Sequence, residues 1–299
     1  MIRHDVPLRE YTRFGLGGPA KGFADVWTPE GLAEVLATPG PHVLIGGGSN
    51  LVVADEGYAG TVIRYRDSQL RVDGDRIVVG AGVDLQELVD ASIQEGFEGL
   101  HTMTGIPGWV GGAVYGNAGA YGHSVHEFLE TVRFWDGTRV REFTNAECEF
   151  RYRESIFKRH KDWVVLNATF RLPRSTDREK TREEAVRILN TRNEKFPPTM
   201  KCAGSIFKNL LLAELPPEVQ MQVPRDVVRE GKVAAAYFLE QVGAKGMFAG
   251  GIRVAEYHAN LIYNTGDGTS AQVRHLIEIL KDLVFEHFRI HVEEEVQFI

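Results

Sequence analysis

A hydroxyl, a guanidinium and a carboxyl, groups that can donate a proton or bind a charged ligand, stand far apart in this sequence. Ser205 lies in KCAGSIFKN, Arg153 in YRESIFK and Glu295 in the terminal HVEEEVQFI. The surroundings of Ser205 are not those of a hydrolase nucleophile, since they lack G-x-S-x-G and no particular histidine is marked as its base. The hydroxyl therefore remains either a proton donor or a turn residue with a local hydrogen bond.

The arginine and the glutamate each have two interpretations. The planar guanidinium of Arg153 suits a carboxylate, but four basic residues crowd this turn, so Arg153 could simply be solvated. Strand alternation places Glu293 and Glu295 on one face and Glu294 on the other. Such an acidic run is also common on an edge strand.

Two glycine-rich segments offer main-chain donors. IGGGSNLV follows a short strand, and its glycines let backbone N–H groups turn inward as a nest for phosphate oxygens, although a tight turn is the alternative. GIPGWVGGAVYGNAGAYG holds seven glycines in eighteen positions, more than a hairpin needs, which predicts contact with a flat or enclosed ligand. Neither segment matches the GxGxxG dinucleotide fingerprint.

Composition limits the class of protein. The chain has 299 residues and a net charge of −7, which argues against a broad basic surface for nucleic acid. No apolar run is long enough for a membrane span, and the N-terminus lacks a signal-peptide core. Cys148 and Cys202 have no metal or redox spacing, so we expect a reduced, cytoplasmic protein without a metal site. His287 and His291 are four apart but have no evident third ligand.

Periodicity predicts the elements that must position these residues. Helices are expected after Pro29, over VDLQELVDASIQEGF, over the charged segment 174–195, over AAAYFLEQVG and over SAQVRHLIEILKDLVFEHF. Single strands are expected at FADVW, HVLIGG, GTVIRY, WVVLNATFRL, GIRVAEYHANLIYNTG and HVEEEVQFI, and hairpins at LRVDGDRIVVGAG and TVRFWDGTRVREF. This order indicates an α+β protein of several domains.

Taken in order, GGGSNLV, GIPGWVGGAVYGNAGAYG, YRESIFK, GSIFKN, HANLIYNTG and EEEV resemble the UDP-N-acetylenolpyruvoylglucosamine reductase family over nearly the whole chain. The resemblance implies an FAD-binding cradle of the vanillyl-alcohol-oxidase (PCMH) type made of two subdomains, plus a C-terminal α+β substrate domain. It places the first FAD subdomain at 1–64, completed by a C-terminal strand at 292–299, and the second at 65–173. A connecting helix would span 174–198 and the substrate domain 199–291.

The resemblance also assigns roles. Ser205 would be the proton donor, Arg153 would stabilise the substrate carboxylate, and Glu295 would be the catalytic glutamate, with Glu293 as the alternative if the register slips. Lys195 and Asn209 would contact the substrate, whereas Lys208 would be structural, and Tyr152 would border the flavin. Noncovalent FAD would be held by Gly46, Gly47, Gly48, Ser49, Asn50, Leu51, Gly105, Ile106, Pro107, Gly108, Gly112, Ala113, Asn117, Ala118 and Gly119.

The implied activity is NADPH-dependent, FAD-mediated reduction of UDP-N-acetylglucosamine enolpyruvate to UDP-N-acetylmuramate, for peptidoglycan precursors, by a monomer. A flavin oxidase of the same superfamily and a non-catalytic nucleotide-binding protein are the alternatives. The interval between YRES and GSIFKN is short, which resembles the compact form of the family that lacks a substrate-covering tyrosine loop. Residues 210–232 are longer than expected and are either a lid or a neutral surface excursion.

Overall fold

The computed structural model describes all 299 residues, and the chain divides into two compact units. The first unit comprises Met1–Val6, Ala20–Gly48 and Ala59–Pro197. The second comprises Pro7–Pro19, Ser49–Tyr58 and Pro198–Ile299. Each unit has its own hydrophobic core.

Helices and strands are both short and numerous. The helices are α1 Pro29–Leu36, α2 Leu85–Gln94, α3 Val110–Tyr115, α4 Ile156–Arg159, α5 Arg178–Lys195, α6 Pro217–Gln222, α7 Ala235–Gln241 and α8 Ser270–Phe288. The strands are β1 Arg3–Pro7, β2 Pro19–Val26, β3 His42–Leu44, β4 Leu51–Val52, β5 Tyr58–Tyr65, β6 Leu70–Asp73, β7 Arg76–Gly80, β8 Gly119–Ala120, β9 His123–Ser124, β10 Leu129–Trp135, β11 Val140–Thr144, β12 Val164–Arg171, β13 Lys201–Ser205, β14 Leu210–Leu211, β15 Val228–Arg229, β16 Lys232–Val233, β17 Phe248–Ala249, β18 Ile252–Ala255, β19 His258–Asn264 and β20 Gln297–Phe298. The chain is α+β, as the sequence predicts.

The first unit is built on two sheets. One has the strand order β1-β2-β5-β3, and the other is antiparallel with the order β11-β10-β12-β7-β6. Helix α2 buries Leu85, Leu88 and Val89, whose spacing predicted the helix. Helix α1 begins where the Thr28 hydroxyl accepts a hydrogen bond from the Gly31 N–H. Both predicted helices are confirmed.

The second unit contains the sheet β13-β19-β18-β17 and buries one face of α8. Helix α8 places Val273, Leu276, Ile277 and Leu280 in the core, at the spacing that predicted it. The C-terminal strand β20 pairs in parallel with β4, so Gln297 and Phe298 lie opposite Leu51 and Val52.

Two sequence predictions need correction, and one helix was not predicted. GIRVAEYHANLIYNTG is a hairpin of two strands rather than one, because the chain turns at Glu256 and Tyr257 so that Ala255 pairs with His258. HVEEEVQFI is a strand only at its end. The second glycine-rich segment contains helix α3, which its composition does not predict.

Residues 210–232 are more than a surface excursion. Strands β14, β16 and β15 form a small antiparallel sheet, and three residues of the segment are buried in the second core: Leu215, Val219 and Val223. No helix of the structure is long and apolar enough to cross a bilayer. The division into subdomains at 1–64, 65–173 and 199–291 stays a prediction.

Candidate active site

Ser205 ends β13 at an irregular point of the second unit's sheet. Lys201 and Cys202 pair with Asn264 and Tyr263, but Ser205 pairs with Leu261, so one extra residue is inserted between them. Gly204 has φ +75° and sits inside this bulge, a conformation that L side chains avoid. A bulge of this kind turns the following side chain away from the regular strand direction. A Cβ on Gly204 would meet nothing within 4 Å, so open space adjoins the serine.

The buried Asn260 holds the backbone that follows the serine. Its Oδ1 accepts a 2.8 Å hydrogen bond from the Phe207 N–H, and its Nδ2 donates a 2.8 Å bond to the Phe207 carbonyl. The Asn260 carbonyl also accepts from the Ile206 N–H at 3.1 Å. Sequence reasoning missed this residue. The available signal was a carboxamide within the apolar strand HANLIYN, since a buried amide must find hydrogen-bond partners.

Glu295 lies beside the same backbone. Its N–H donates a 2.7 Å hydrogen bond to the Ile206 carbonyl, and Glu294 forms a bridge with Phe207. The Asn50 carboxamide donates a 2.9 Å bond to the Glu295 carbonyl. The second unit therefore brings together three predicted site residues: Ser205, Glu295 and Asn50.

The other two glutamates of the run pair with lysines. Lys208 Nζ lies 2.6 Å from Glu293 Oε1, and Lys281 Nζ lies 2.9 Å from Glu294 Oε1. The Glu294 hydrogen bond is the main cause that raises the pKa of Lys281. The Glu293 side chain is largely exposed, whereas Glu295 as a residue is half-buried. This difference supports Glu295 rather than Glu293 as the functional carboxyl.

Arg153 belongs to the first unit and adopts a left-handed backbone with φ 57°. Its guanidinium donates hydrogen bonds to the carbonyls of Gly119, at 2.8 Å, and Asn117, at 3.5 Å. Lys158 Nζ donates to the Arg153 carbonyl at 2.9 Å. A non-glycine residue at positive φ is uncommon and needs such support from its surroundings.

Two of the three basic residues that crowd this turn with Arg153 are paired with glutamates. Lys158 Nζ lies 2.8 Å from Glu154 Oε1, and Arg159 pairs with Glu149. The buried Ser155 hydroxyl donates to the Tyr115 carbonyl at 2.7 Å, which ties this turn to the second glycine-rich segment. These hydrogen bonds and ion pairs hold the turn that carries Arg153 in a defined conformation.

The two glycine-rich segments meet within the first unit. A Cβ on Gly47 would lie 3.2 Å from both Gly108 Cα and Trp109 Cδ1, so only glycine permits this approach without a shift. Gly112 is exposed, and a Cβ there would meet nothing within 4 Å. A stretch of backbone that carries no side chain and borders open space suits a flat, polar cofactor. The residues present therefore fit FAD.

Two arginines beside Trp109 are a further feature that sequence reasoning missed. The guanidinium carbons of Arg64 and Arg66 lie 5.0 and 5.6 Å from the Trp109 ring centroid. Asp25 accepts a 2.8 Å bond from Arg64 Nε. Because this one carboxylate faces both guanidinium groups, net positive charge adjoins the point where the two segments meet, which suits the pyrophosphate of a dinucleotide.

The remaining predicted positions are distributed between the units. Among the predicted FAD contacts, Gly46–Gly48 and the positions from Gly105 to Gly119 belong to the first unit, whereas Ser49, Asn50 and Leu51 belong to the second. Lys195 ends α5 in the first unit, where desolvation, and then the charge of Arg192, lower its pKa. Asn209 in the second unit accepts a 3.4 Å bond from the Ala235 N–H. His258 is buried in β19.

Comparison with known proteins adds an independent observation. Residues 30–141 match the model of an FAD binding domain, and residues 196–299 match that of the C-terminal domain of UDP-N-acetylenolpyruvoylglucosamine reductase. The chain is 56% identical, over its full length and 96% of the relative, to the UDP-N-acetylenolpyruvoylglucosamine reductase of Solibacter usitatus. It belongs to this reductase family.

More distant reductases agree in length and fold. The enzyme of Bacillus velezensis is 34% identical over 98% of this chain and 92% of its own. The crystal structure of the reductase from Thermus caldophilus aligns with a TM-score of 0.80 at 28% identity, covering 100% of this chain and 99% of the other. The chain is therefore an FAD-dependent oxidoreductase with the family's fold, and the predicted cofactor is confirmed.

Proposed function

We propose that this chain uses NADPH and FAD to reduce UDP-N-acetylglucosamine enolpyruvate to UDP-N-acetylmuramate, a step of peptidoglycan precursor synthesis. The observation that carries the proposal is the 56% identity with a reductase of this name from end to end. The backbone pairing of Ile206 with Glu295 supports it at the level of the site, because it places a hydroxyl and a carboxyl on adjoining segments.

FAD, when bound, supplies the hydride chemistry that no side chain can provide. A hydride added to C3 of the enolpyruvyl group leaves negative charge at C2, which spreads into the carboxylate. We assign to Ser205 the donation of its Oγ proton to C2. A serine hydroxyl has a high pKa, so it gives up its proton only to a strongly basic carbon in an arranged site. The bulge at Gly204 turns this side chain away from the regular strand direction, and the hydrogen bonds of Ile206 and Phe207 hold the backbone that follows.

Arg153 and Glu295 are assigned to the charge that develops on the substrate. The guanidinium of Arg153 suits the substrate carboxylate because it offers a planar pair of donors. Glu295 is assigned the sharing of a proton with the enolate oxygen. Preorganised groups of this kind stabilise the developing charge more than mobile groups do, because they need not reorient as the charge forms.

Substrate contacts and the state of the protein are part of the proposal. We assign Lys195 and Asn209 to the UDP-sugar, and we propose a cytoplasmic monomer with no nucleic-acid or membrane partner. The net charge of −7 is consistent with a protein that does not bind nucleic acid. Light scattering of the purified protein tests the monomer.

Anaerobic spectroscopy tests the function. The purified protein is expected to show FAD absorbance that NADPH bleaches, and UDP-N-acetylglucosamine enolpyruvate is expected to restore it with formation of UDP-N-acetylmuramate. Rapid restoration by oxygen but not by the enolpyruvyl substrate would indicate a flavin oxidase instead. A protein that binds FAD but is not bleached by NADPH would be a non-catalytic relative.

A further inference from the structure

Asn260 is buried, and its carboxamide bonds to the backbone that directly follows Ser205. We propose that Asn260 is a positioning residue that fixes the direction of the Ser205 hydroxyl through the backbone of Ile206 and Phe207. The inference rests on the proposed role of Ser205 as proton donor and deepens it. All the contacts on which it depends lie within the second unit.

The first step of the argument is the irregularity before the serine. Ser205 itself pairs with Leu261, but the bulge between Cys202 and Ser205, with Gly204 at φ +75°, interrupts the regular ladder immediately before it. A donor of high pKa must nevertheless be aimed within fractions of an ångström at the carbon it protonates. Because the ladder is interrupted before the serine, the contacts that follow the serine must help to fix its direction.

The second step is the pair of hydrogen bonds that follow the serine. Asn260 accepts from the Phe207 N–H and donates to the Phe207 carbonyl, both at 2.8 Å, and its own carbonyl accepts from the Ile206 N–H. The Asn260 carboxamide thus serves as the hydrogen-bond partner of both backbone groups of Phe207, its N–H and its carbonyl. On the other side, the Glu295 N–H bonds to the Ile206 carbonyl.

The third step is burial. Asn260 is 3% exposed, Ile206 is 0% and Phe207 is 1% exposed, whereas Ser205 is only half-buried. Water therefore cannot replace the carboxamide if it is removed, and the Phe207 N–H and carbonyl would be left without these partners. The segment is fully buried directly after the serine, whereas the serine itself is only half-buried.

The experiment measures the two half-reactions separately by anaerobic stopped flow on the FAD-loaded protein. In Asn260→Ala we expect FAD reduction by NADPH to be nearly unchanged and reoxidation by UDP-N-acetylglucosamine enolpyruvate to slow by about 10- to 100-fold. Asn264→Ala is the matched control. Asn264 is also buried in β19, with its carboxamide bonded to the backbone of Phe14, Gly266 and Gly268, but it pairs with Lys201 rather than the serine.

A double-mutant cycle with Ser205→Ala separates positioning from general stability. If Asn260 acts through the serine hydroxyl, Asn260→Ala adds little further slowing once that hydroxyl is absent. If the two effects multiply, or if Asn264→Ala slows reoxidation as much as Asn260→Ala does, the positioning role is wrong. A wild-type protein that the enolpyruvyl substrate does not reoxidise would contradict the proposed function itself.

Asn260→Asp covers the case in which the alanine variant does not fold. A protonated carboxyl reproduces the carboxamide's donor and acceptor, whereas an ionised carboxyl lacks the donor to the Phe207 carbonyl. Reoxidation by this variant is therefore expected to accelerate as pH falls, relative to wild type, because protonation restores the missing bond. A pH profile parallel to that of wild type would overturn the proposal.

Discussion

The guanidinium of Arg153 donates a 2.8 Å hydrogen bond to the carbonyl oxygen of Gly119, which joins a proposed substrate-binding side chain to the second glycine-rich segment. The backbone of the same arginine is also held, because Lys158 Nζ donates a hydrogen bond to its carbonyl. Because Arg153 adopts positive φ, its backbone conformation depends on these neighbours. A segment assigned to the cofactor and a residue assigned to the substrate are thus mechanically linked in the first unit.

Removing the hydrogen bond from Lys158 to the Arg153 carbonyl is expected to slow the substrate half-reaction. In Lys158→Met, kcat/KM for the enolpyruvyl substrate should fall by roughly tenfold, and in Arg153→Lys by about 100-fold, because the planar pair of donors is lost. Reduction by NADPH should stay close to wild type in both. Arg159→Met is the control, since its pairing with Glu149 is exposed. An equal loss in the control would show that the whole turn had been disturbed.

Gly112 offers a test of where the cofactor lies. An added Cβ meets no protein atom within 4 Å, and φ at this position is not positive, so Gly112→Ala should leave the apo protein as stable as wild type or about 0.5–1 kcal/mol more stable. If FAD covers this backbone, the same methyl group should weaken FAD binding severalfold. Fluorescence titration of the apoprotein measures the affinity, and Gly116→Ala at the end of α3 serves as the control. Unchanged FAD affinity would place the cofactor elsewhere.

Ser205→Ala separates proton donation from hydride transfer into the flavin. Reduction by NADPH should be nearly unchanged, while reoxidation by the enolpyruvyl substrate should slow by about 100- to 10,000-fold, the range for loss of an acid catalyst. Stopped-flow absorbance at the flavin band measures both steps. Equal slowing of the two steps, or of neither, would contradict the role of the hydroxyl.

The two candidate glutamates can be distinguished by isosteric substitution. Glu295→Gln keeps the backbone N–H that bonds to Ile206 and removes only the carboxylate, so we expect the enolpyruvyl half-reaction to slow by at least about 100-fold. Glu293→Gln removes the charge that faces Lys208 on a largely exposed side chain, and little kinetic change is expected. The reverse result would assign the catalytic carboxyl to Glu293.

The sequence predicted what periodicity and composition determine. Helices α2 and α8 follow from apolar residues that recur at helical spacing, whereas the close approach of Gly47 to Trp109, which brings the two glycine-rich segments together, was not predicted. Periodicity did not reveal the turn at Glu256 and Tyr257, because neither residue is typical of a tight turn.

Hydrophobic periodicity could not predict the conformation of the C-terminal segment or the bulge before the serine, for different reasons. Val292 and Val296 are both buried, but between them only Glu294 forms a bridge, and the regular strand β20 begins at Gln297. Isolated tertiary contacts rather than a continuous strand ladder therefore fix the glutamates. The bulge at Gly204 depends on pairing with a strand more than fifty residues away. Asn260 was missed because its partners are backbone atoms, which a sequence does not mark.

Asp55 gives the second unit a pH-dependent contribution to stability. Its carboxylate accepts hydrogen bonds from the Ser270 and Ala271 N–H groups, at 2.8 and 3.0 Å, at the start of α8. Desolvation is the largest single influence and raises its pKa, but these hydrogen bonds together outweigh it, so the pKa of Asp55 is lowered from 3.8. The stabilisation is fully present above the unfolded-state value of 3.8 and is lost as pH falls through the lower folded-state pKa.

Asp55→Asn is therefore expected to reduce the free energy of unfolding by about 0.5–1 kcal/mol at pH 7, because the helix start loses a charge. The difference from wild type should begin to shrink as pH falls below the unfolded-state pKa of 3.8, and it should be lost once pH falls below the lower folded-state pKa, where the wild-type carboxyl is neutral too. Urea denaturation at several pH values measures both effects. Glu56→Gln, at the next position, is the control. A difference that stays constant between pH 7 and pH 3 would show that the charge of Asp55 does not stabilise the helix.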